Sequence, residues 1–366
     1  MKPALRLEII ESPAKLDGLH RQLELLAKSC GAGVFDRPGF FLPWMRAAVA
    51  SGQLPACLCL FRGTDLKGFL PLFFRRDRKA LLARRGGFPV FGSSPAFDLL
   101  LSPSEEETEA CVLLAQALER RRWLDLTFAN LPDHNRLGHC LGRVFRRQGC
   151  QISRPPGLSY MMVEGFKDNA EYLAHLKGRH RRNWKRKERH VRESCRIDLF
   201  THQDDYEACL PMMRDVLKHS WKFDSRMQHI GMRLYEEQVL GTARDGTLGV
   251  WFASREGRPL AFTIELADET GHHHGYFTAY RPEHLRLGAG AALVFMAVQN
   301  ALERGNCVYD LWATRGHLNQ LATGTRETAS LSICRKGAVP RLRLAMAERL
   351  KGIRQVLRTA KPRPRT

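Results

Sequence analysis

Apolar and polar positions along the chain change period repeatedly, from two to about 3.6 and back, the signature of strands alternating with helices. Residues 5–10 alternate as a strand. Leu16, Leu19, Leu23 and Leu26 recur at helical spacing and predict a helix over 16–29, with another over 41–51. Two apolar runs, 56–61 and 66–74, flank Arg62-Gly63-Thr64-Asp65 and predict a hairpin. Residues 75–85 are basic and loop-like. A strand at 97–101, a helix at 105–122 capped by Ser102 or Ser104, a strand at 123–128, a helix at 134–148 and a strand at 158–163 complete the first half. The second half repeats the plan. It predicts a strand at 196–200, helices at 204–223 and 227–242, and a hairpin of 248–253 with 259–266 around Arg255-Glu256-Gly257. A strand at 276–280, a helix from 286–291 to a stop at Gly305, and strands at 308–312 and 328–334 follow.

The repetition has a local sequence match. Residues 112–128 (VLLAQALERRRWLDLTF) parallel 294–313 (VFMAVQNALERGNCVYDLWA): both carry Ala-Leu-Glu-Arg followed shortly by Asp-Leu. The match falls at equivalent places in two similar element orders, which predicts a duplicated αβ unit. The copies differ at the helix start. The first opens with Glu105, Glu106 and Glu107, the second with Arg286, Gly288 and Gly290. Carboxylates complement the helix dipole themselves and repel phosphate, whereas small residues leave the amides open to an anion. A phosphate-bearing donor is therefore expected only in the second copy, and the first is expected to wall an acceptor cleft.

A chain of 366 residues with 44% hydrophobic content suits two medium domains. The net charge of +20 implies an anionic partner: nucleic acid, an anionic membrane surface, an acidic carrier protein or a phosphorylated substrate. Ten cysteines without Cys-x-x-Cys spacing are expected to be small buried thiols of a reducing cytoplasm. No signal peptide is read at the N-terminus, and no apolar run is long enough to span a membrane. No Gly-x-Ser-x-Gly elbow, Walker loop or zinc-finger spacing occurs.

Charge concentrates in residues 172–194, where Leu173, Leu176, Trp184 and Val191 share one helical face and nine Lys and Arg side chains lie in the segment. The segment reads either as a solvated linker or as an anion-binding helix. Residues 341–358 form a second basic amphipathic pattern, which either packs on its own domain or lies on an anionic membrane surface. Residues 361–366 are Pro/Arg-rich and expected to be disordered.

With these residues in hand, the stretch 272–313 resembles the acyl-CoA-binding core of the GNAT acyltransferase superfamily. Arg286-Leu287-Gly288-Ala289-Gly290-Ala291 stands for its Arg/Gln-x-x-Gly-x-Gly/Ala signature, with the Arg one place closer to the first Gly. The likeness extends to the two-lobed branch that holds the cellulose-biosynthesis-associated acetyltransferases and the Fem-type aminoacyltransferases. It implies an α/β (α+β) fold of tandem GNAT-like domains, each a mixed sheet flanked by helices. The expected units are a degenerate lobe at 1–165, a connecting helix at 166–196, an acyltransferase lobe at 197–338, and a basic helix and tail at 339–366.

The resemblance also implies acyl-CoA as cosubstrate, with the backbone of Thr278, Ala279 and Tyr280 on the pantetheine arm and 286–291 on the pyrophosphate. Asp310 follows as a candidate base or a loop-orienting residue, Tyr280 as a proton donor to the thiolate or a buried strand tyrosine, and His317 as a second base. Arg182, Asn183, Lys185 and Arg315 are candidate acceptor contacts; Arg182-Asn183 resembles the Lys/Arg-x-Arg-x-Asn segment of Fem-like proteins. A Tyr-Lys pair that related sequences carry after the aspartate is missing here. His272 and His274 would share a strand face that two metal ligands could use, yet no Cys, Asp or Glu stands at a convincing companion spacing, so no metal is expected. The resulting expectation is an N- or O-acyltransferase of bacterial polysaccharide or envelope synthesis, cytoplasmic or at the inner membrane face. The alternatives are an aminoacyl-tRNA-dependent transferase, an acyl-carrier-protein donor, or a non-catalytic anion-binding protein.

Overall fold

A computed structural model of the chain describes residues 3–76, 84–88, 97–121, 123, 125–132, 135–201, 205–220, 228–244, 246, 248–268, 271–305, 308–311 and 316–335. In chain order the strands are β1 (Leu5–Ile10), β2 (Leu54–Pro55), β3 (Cys57–Arg62), β4 (Asp65–Leu70), β5 (Phe73–Arg76), β6 (Arg84–Gly87), β7 (Leu100–Leu101), β8 (Asp125–Leu131), β9 (Gln151–Ser153), β10 (Pro156–Val163), β11 (Arg196–Phe200), β12 (Leu248–Arg255), β13 (Arg258–Ala267), β14 (His272–Tyr280), β15 (Val308–Asp310) and β16 (Gly324–Cys334). The helices are α1 (Pro13–Asp17), α2 (His20–Ser29), α3 (Pro38–Ala50), α4 (Glu107–Glu119), α5 (Arg136–Arg147), α6 (Asn169–His175), α7 (Gly178–Ser194), α8 (Tyr206–His219), α9 (Gln228–Arg244) and α10 (Ala289–Glu303).

Two parallel strand pairs expose the duplication. β6 lies parallel to β8 with α4 between them in sequence, and β14 lies parallel to β15 with α10 between them. These are the units that carry the matched Ala-Leu-Glu-Arg segments. The copies then exchange their last strands. β10, closing the first copy, pairs with β15 of the second, and β16, closing the second, pairs with β8 of the first. β10 and β16 also pair with each other, so one sheet runs β11-β12-β13-β14-β15-β10-β16-β8-β6-β5-β2, with β9 beside β16. A separate sheet, β1-β3-β4-β7, belongs to the first copy alone.

Apolar faces sort into three cores. One fills the first lobe. The second lies on the α10 side of the second lobe, where α10 is buried almost all round and Phe295 meets Trp184 of α7 at 5.6 Å between ring centroids. The third, under α8 and α9, also takes in Val34, Phe35 and Phe40 from the first half of the chain.

Several expectations change. The helix expected over 172–194 breaks into α6 and α7, because Leu176 and Lys177 turn extended before Gly178. The break resets the helical phase, so Tyr172 reaches the core and donates to the carbonyl of Leu321 at 2.9 Å. The helix expected over 16–29 divides at Gly18 and Leu19. Ser102 and Ser104 bond each other instead of capping α4, whose cap residue is Glu106. Part of the expected loop at 75–85 is strand, since β5 and β6 pair antiparallel. Cys111 of α4 and Cys140 of α5 form a disulfide with Cα atoms 5.1 Å apart, which corrects the reading of all ten cysteines as thiols: packing two buried helices together faces the pair. The basic helix and tail expected over 339–366 lie outside the described residues.

Candidate active site

β15 pairs over its whole length with the beginning of β14: His272↔Val308, His273↔Tyr309 and His274↔Asp310. It is also held by its other neighbour. Met162 of β10 lies opposite Asp310, and the amide of Leu311 donates to the carbonyl of Met161 at 2.9 Å. Among the described residues, the edge of β14 from Gly275 to Tyr280 has no registered partner on that side. Its other edge follows β13 as far as Tyr280, with a bulge between Gly275 and Phe277. Such a bulge re-aims the backbone locally.

This edge leads to the start of α10. Gly288 adopts φ +70°, a left-handed conformation that glycine enters without strain, and forms the helix cap. No side chain caps α10 and no carboxylate occupies its first turn, so the amides of Ala289, Gly290 and Ala291 point outward. Gly290 sets how closely the helix approaches the strand, because a Cβ there would lie 3.1 Å from Thr278 and 3.5 Å from Tyr280. Thr278, Ala279, Tyr280 and Gly288–Ala291 are thus brought together, with Arg286 and Leu287 in the preceding turn, Pro282–Leu287. Arg281, not singled out from the sequence, anchors this corner. It is fully buried, donates to the carbonyl of Pro259 at 2.9 Å and pairs with Asp215 of α8 at 2.5 Å. At the start of α4 the arrangement is reversed. Glu105 is buried against Arg62, which also pairs with Glu109 at 3.0 Å, so the helix start is filled by its own charges.

A polar cluster sits where β14 and β15 pair. Asp310 is fully buried (0% exposed) and ion-paired with Arg326 of β16. The Arg326 guanidinium lies 5.5 Å from the ring of Tyr160 on β10 and keeps part of its surface exposed. Burial, and then the Asp310 charge, push the Tyr160 phenol up to about 12 against the pull of Arg326, so it stays protonated at neutral pH. His274 stands 4.0 Å from Asp310, and its ring stacks on His272 with centroids 4.4 Å apart. Burial lowers both imidazoles below the ordinary histidine value, His274 further than His272. Asp268, in the turn before β14, joins these two rings. His273 points to the other face, where it meets Glu265 at 2.7 Å and Glu265 accepts from the Trp251 indole at 3.0 Å.

Other predicted residues stand apart. α7 packs on α10 and reaches the turn Pro282–Leu287, on the sheet face opposite Asp310, Met162 and Tyr160. Arg182, Asn183 and Lys185 therefore lie on the α10 side and are not brought together with the Asp310 cluster. Asn183 accepts from Arg186 at 3.2 Å, and Lys185 lines a groove with Asn169, Glu188, Arg189 and Gln299. Arg315 and the His317 side chain lie outside the described residues. Arg326, Tyr160 and Asp268 went unnoticed in the sequence because each reaches the site only through strand register or a turn.

Residues 178–318 match the family described as Acetyltransferase (GNAT) domain. They form a GNAT acetyltransferase domain. Its strand–helix–strand core is the β14–α10–β15 unit, and the same plan recurs in the first lobe. No curated protein sequence matches it. Among solved structures it is similar to FemX, with a TM-score of 0.58 and 10% identity over 88% of this chain and 98% of that one. It is also similar to the C-terminal domain of a putative lysylphosphatidylglycerol synthetase from Agrobacterium fabrum, with a TM-score of 0.55 and 11% identity over 92% and 96% of the two chains. A conserved protein of unknown function from Bacteroides thetaiotaomicron gives a TM-score of 0.52 at 11% identity, covering 90% of this chain and all of that one. These likenesses concern the fold. No helix among the described residues is long and apolar enough to cross a membrane.

Proposed function

We propose that the GNAT domain transfers an acyl group from acyl-CoA to the amine or hydroxyl of an anionic acceptor held between the lobes. The observation that carries this reading is the helix start free of carboxylates beside Thr278 and Tyr280 of β14. An extended pantetheine arm would run along Gly275–Tyr280, and its pyrophosphate would meet the amides of Ala289, Gly290 and Ala291. The acceptor nucleophile attacks the thioester carbonyl carbon, the C–S bond breaks, and the proton lost by the nucleophile goes to the departing thiolate. Holding both partners in place supplies much of the rate. We assign Asp310 a positioning role: buried and paired, it fixes the Arg326 guanidinium, whose exposed side is the anion contact for the acceptor. Tyr160 is the protonated hydrogen-bond donor beside it, and Tyr280 lines the mouth of the donor channel. The proposed setting is bacterial envelope or polysaccharide synthesis on the cytoplasmic side.

The test is calorimetry with acetyl-CoA and longer acyl-CoAs on the wild type and Ala291→Glu. This substitution puts a carboxylate in the first turn without the backbone strain that any replacement of Gly288 brings. Saturable binding that weakens at least roughly tenfold in a variant of unchanged thermal stability is expected, since one repelled charge at a helix start costs on the order of 1–2 kcal/mol. Absence of binding by every acyl-CoA would sink the reading. The likeness of fold to FemX and the basic α7 beside the donor helix favour a second reading, an aminoacyl-tRNA donor. Salt-dependent RNA binding in place of acyl-CoA binding would select it.

A further inference from the structure

We propose that Asp268, His272 and His274 form a binding site for one first-row divalent metal ion of the zinc class. The three side chains offer two nitrogens and one oxygen, all within 4.8 Å of one another. His272 and His274 alternate along β14 and so project from one face. Their rings already lie nearly parallel, with planes 13° apart. Asp268 follows β13 and is folded back onto them by the turn: its amide donates to the carbonyl of His272 at 3.0 Å, and its Oδ1 accepts from the His272 amide at 3.1 Å. This fold-back brings a carboxylate to the histidine pair from a place that the spacing along the chain did not suggest.

A separate observation points to a ligand. His272 Nε2 is shut off from solvent and has no hydrogen-bond partner among the described residues. A buried ring nitrogen left without a partner costs free energy that a bound cation would recover. The three side chains bring one carboxylate and two imidazoles, and the nearby Arg326 is ion-paired with Asp310. Around a tetrahedral zinc ion, with bonds of 2.0–2.1 Å, ligand atoms stand about 3.3 Å apart, so the side chains need to close by roughly 1.5 Å. Two histidines and one carboxylate are a donor set for zinc or iron(II), and three protein ligands leave a coordination position open. The first lobe contributes a wall, because Phe35 meets the His274 ring edge-on at 4.7 Å and Gly33 faces Oδ2 of Asp268.

This inference does not depend on what the acyl donor is, and its test needs no turnover. Protein without an affinity tag, stripped with chelator, is titrated calorimetrically with zinc chloride, and the visible spectrum is recorded after cobalt(II) addition. One ion per chain is expected, with cobalt d–d bands and no sulfur-to-metal charge-transfer band. Asp268→Asn and His272→Gln, each checked by circular dichroism in the metal-free form, are expected to weaken binding at least roughly tenfold, since even loss of a group behind a ligand costs 10–100-fold. Lack of saturable binding, a thiolate charge-transfer band, or affinity unchanged in both variants would overturn the proposal.

Discussion

At the residue scale, the Asp310–Arg326 pair decides how the site behaves when altered. Removing one partner of a buried pair strands the other charge, which costs about 3–5 kcal/mol; Arg326 keeps a route to solvent, which places Asp310→Asn near the lower end. Urea denaturation of Asp310→Asn should show that loss, and adding Arg326→Met should restore part of it. A stability loss with no rescue would mean that Asp310 is held by something other than this pair. Asp36 offers a pH test. Burial and the neighbouring Asp98 charge push its carboxyl well above the ordinary aspartate range, and its Oδ1 is buried without a hydrogen bond. The folded chain thus keeps a proton that the unfolded chain has released. That contribution to stability is complete below the unfolded value and falls as pH rises towards the folded value. Melting curves between about pH 4 and pH 8 should therefore show a smaller loss with rising pH for Asp36→Asn than for the wild type. Asp310 and the His-x-His pattern were legible in the sequence because each sits in a strand of clear pattern. Arg326 and Tyr160 were not, since nothing in a sequence states which residues of two distant strands stand opposite each other.

At the element scale, the helices and hairpins of the second lobe were read within a few residues, and α10 was found from its glycines and apolar run. The break between α6 and α7 escaped because the apolar positions on both sides fit one helical face when counted through; two extended residues change the phase without changing the composition. The disulfide also escaped, because the spacing of Cys111 and Cys140 carries no motif. It ties α4 to α5 across 29 positions, a loop for which closure entropy gives about 3–4 kcal/mol. Denaturation midpoints with and without reductant should differ accordingly in the wild type. The same comparison in Cys111→Ala/Cys140→Ala should show no difference.

At the scale of the whole molecule, the exchange of closing strands joins the two lobes in one sheet, which predicts that they fold together. A fragment covering residues 166–335 would lack β10 and leave facing edges of β15 and β16 unpaired. Such a fragment should remain unfolded or aggregate by circular dichroism and light scattering. Supplying residues 1–165 in trans should rescue it. A soluble, cooperatively melting fragment would contradict this view. The duplication was visible in sequence because it is written in local matches. The exchange was invisible because strand pairing across the repeat leaves no local trace.

The position of β16 sets the order in which this protein can mature on the ribosome. β16 lies between β8 and β10, yet it is the last strand of the described chain. Until residues 324–334 emerge, the first half carries an incomplete sheet with exposed edges. At 5–20 residues per second that interval lasts roughly ten to thirty seconds after β10 has been made. A nascent chain in this state is a client for chaperones that shield open strand edges. Slow codons placed between β10 and β16 would lengthen its exposure and lower the soluble yield.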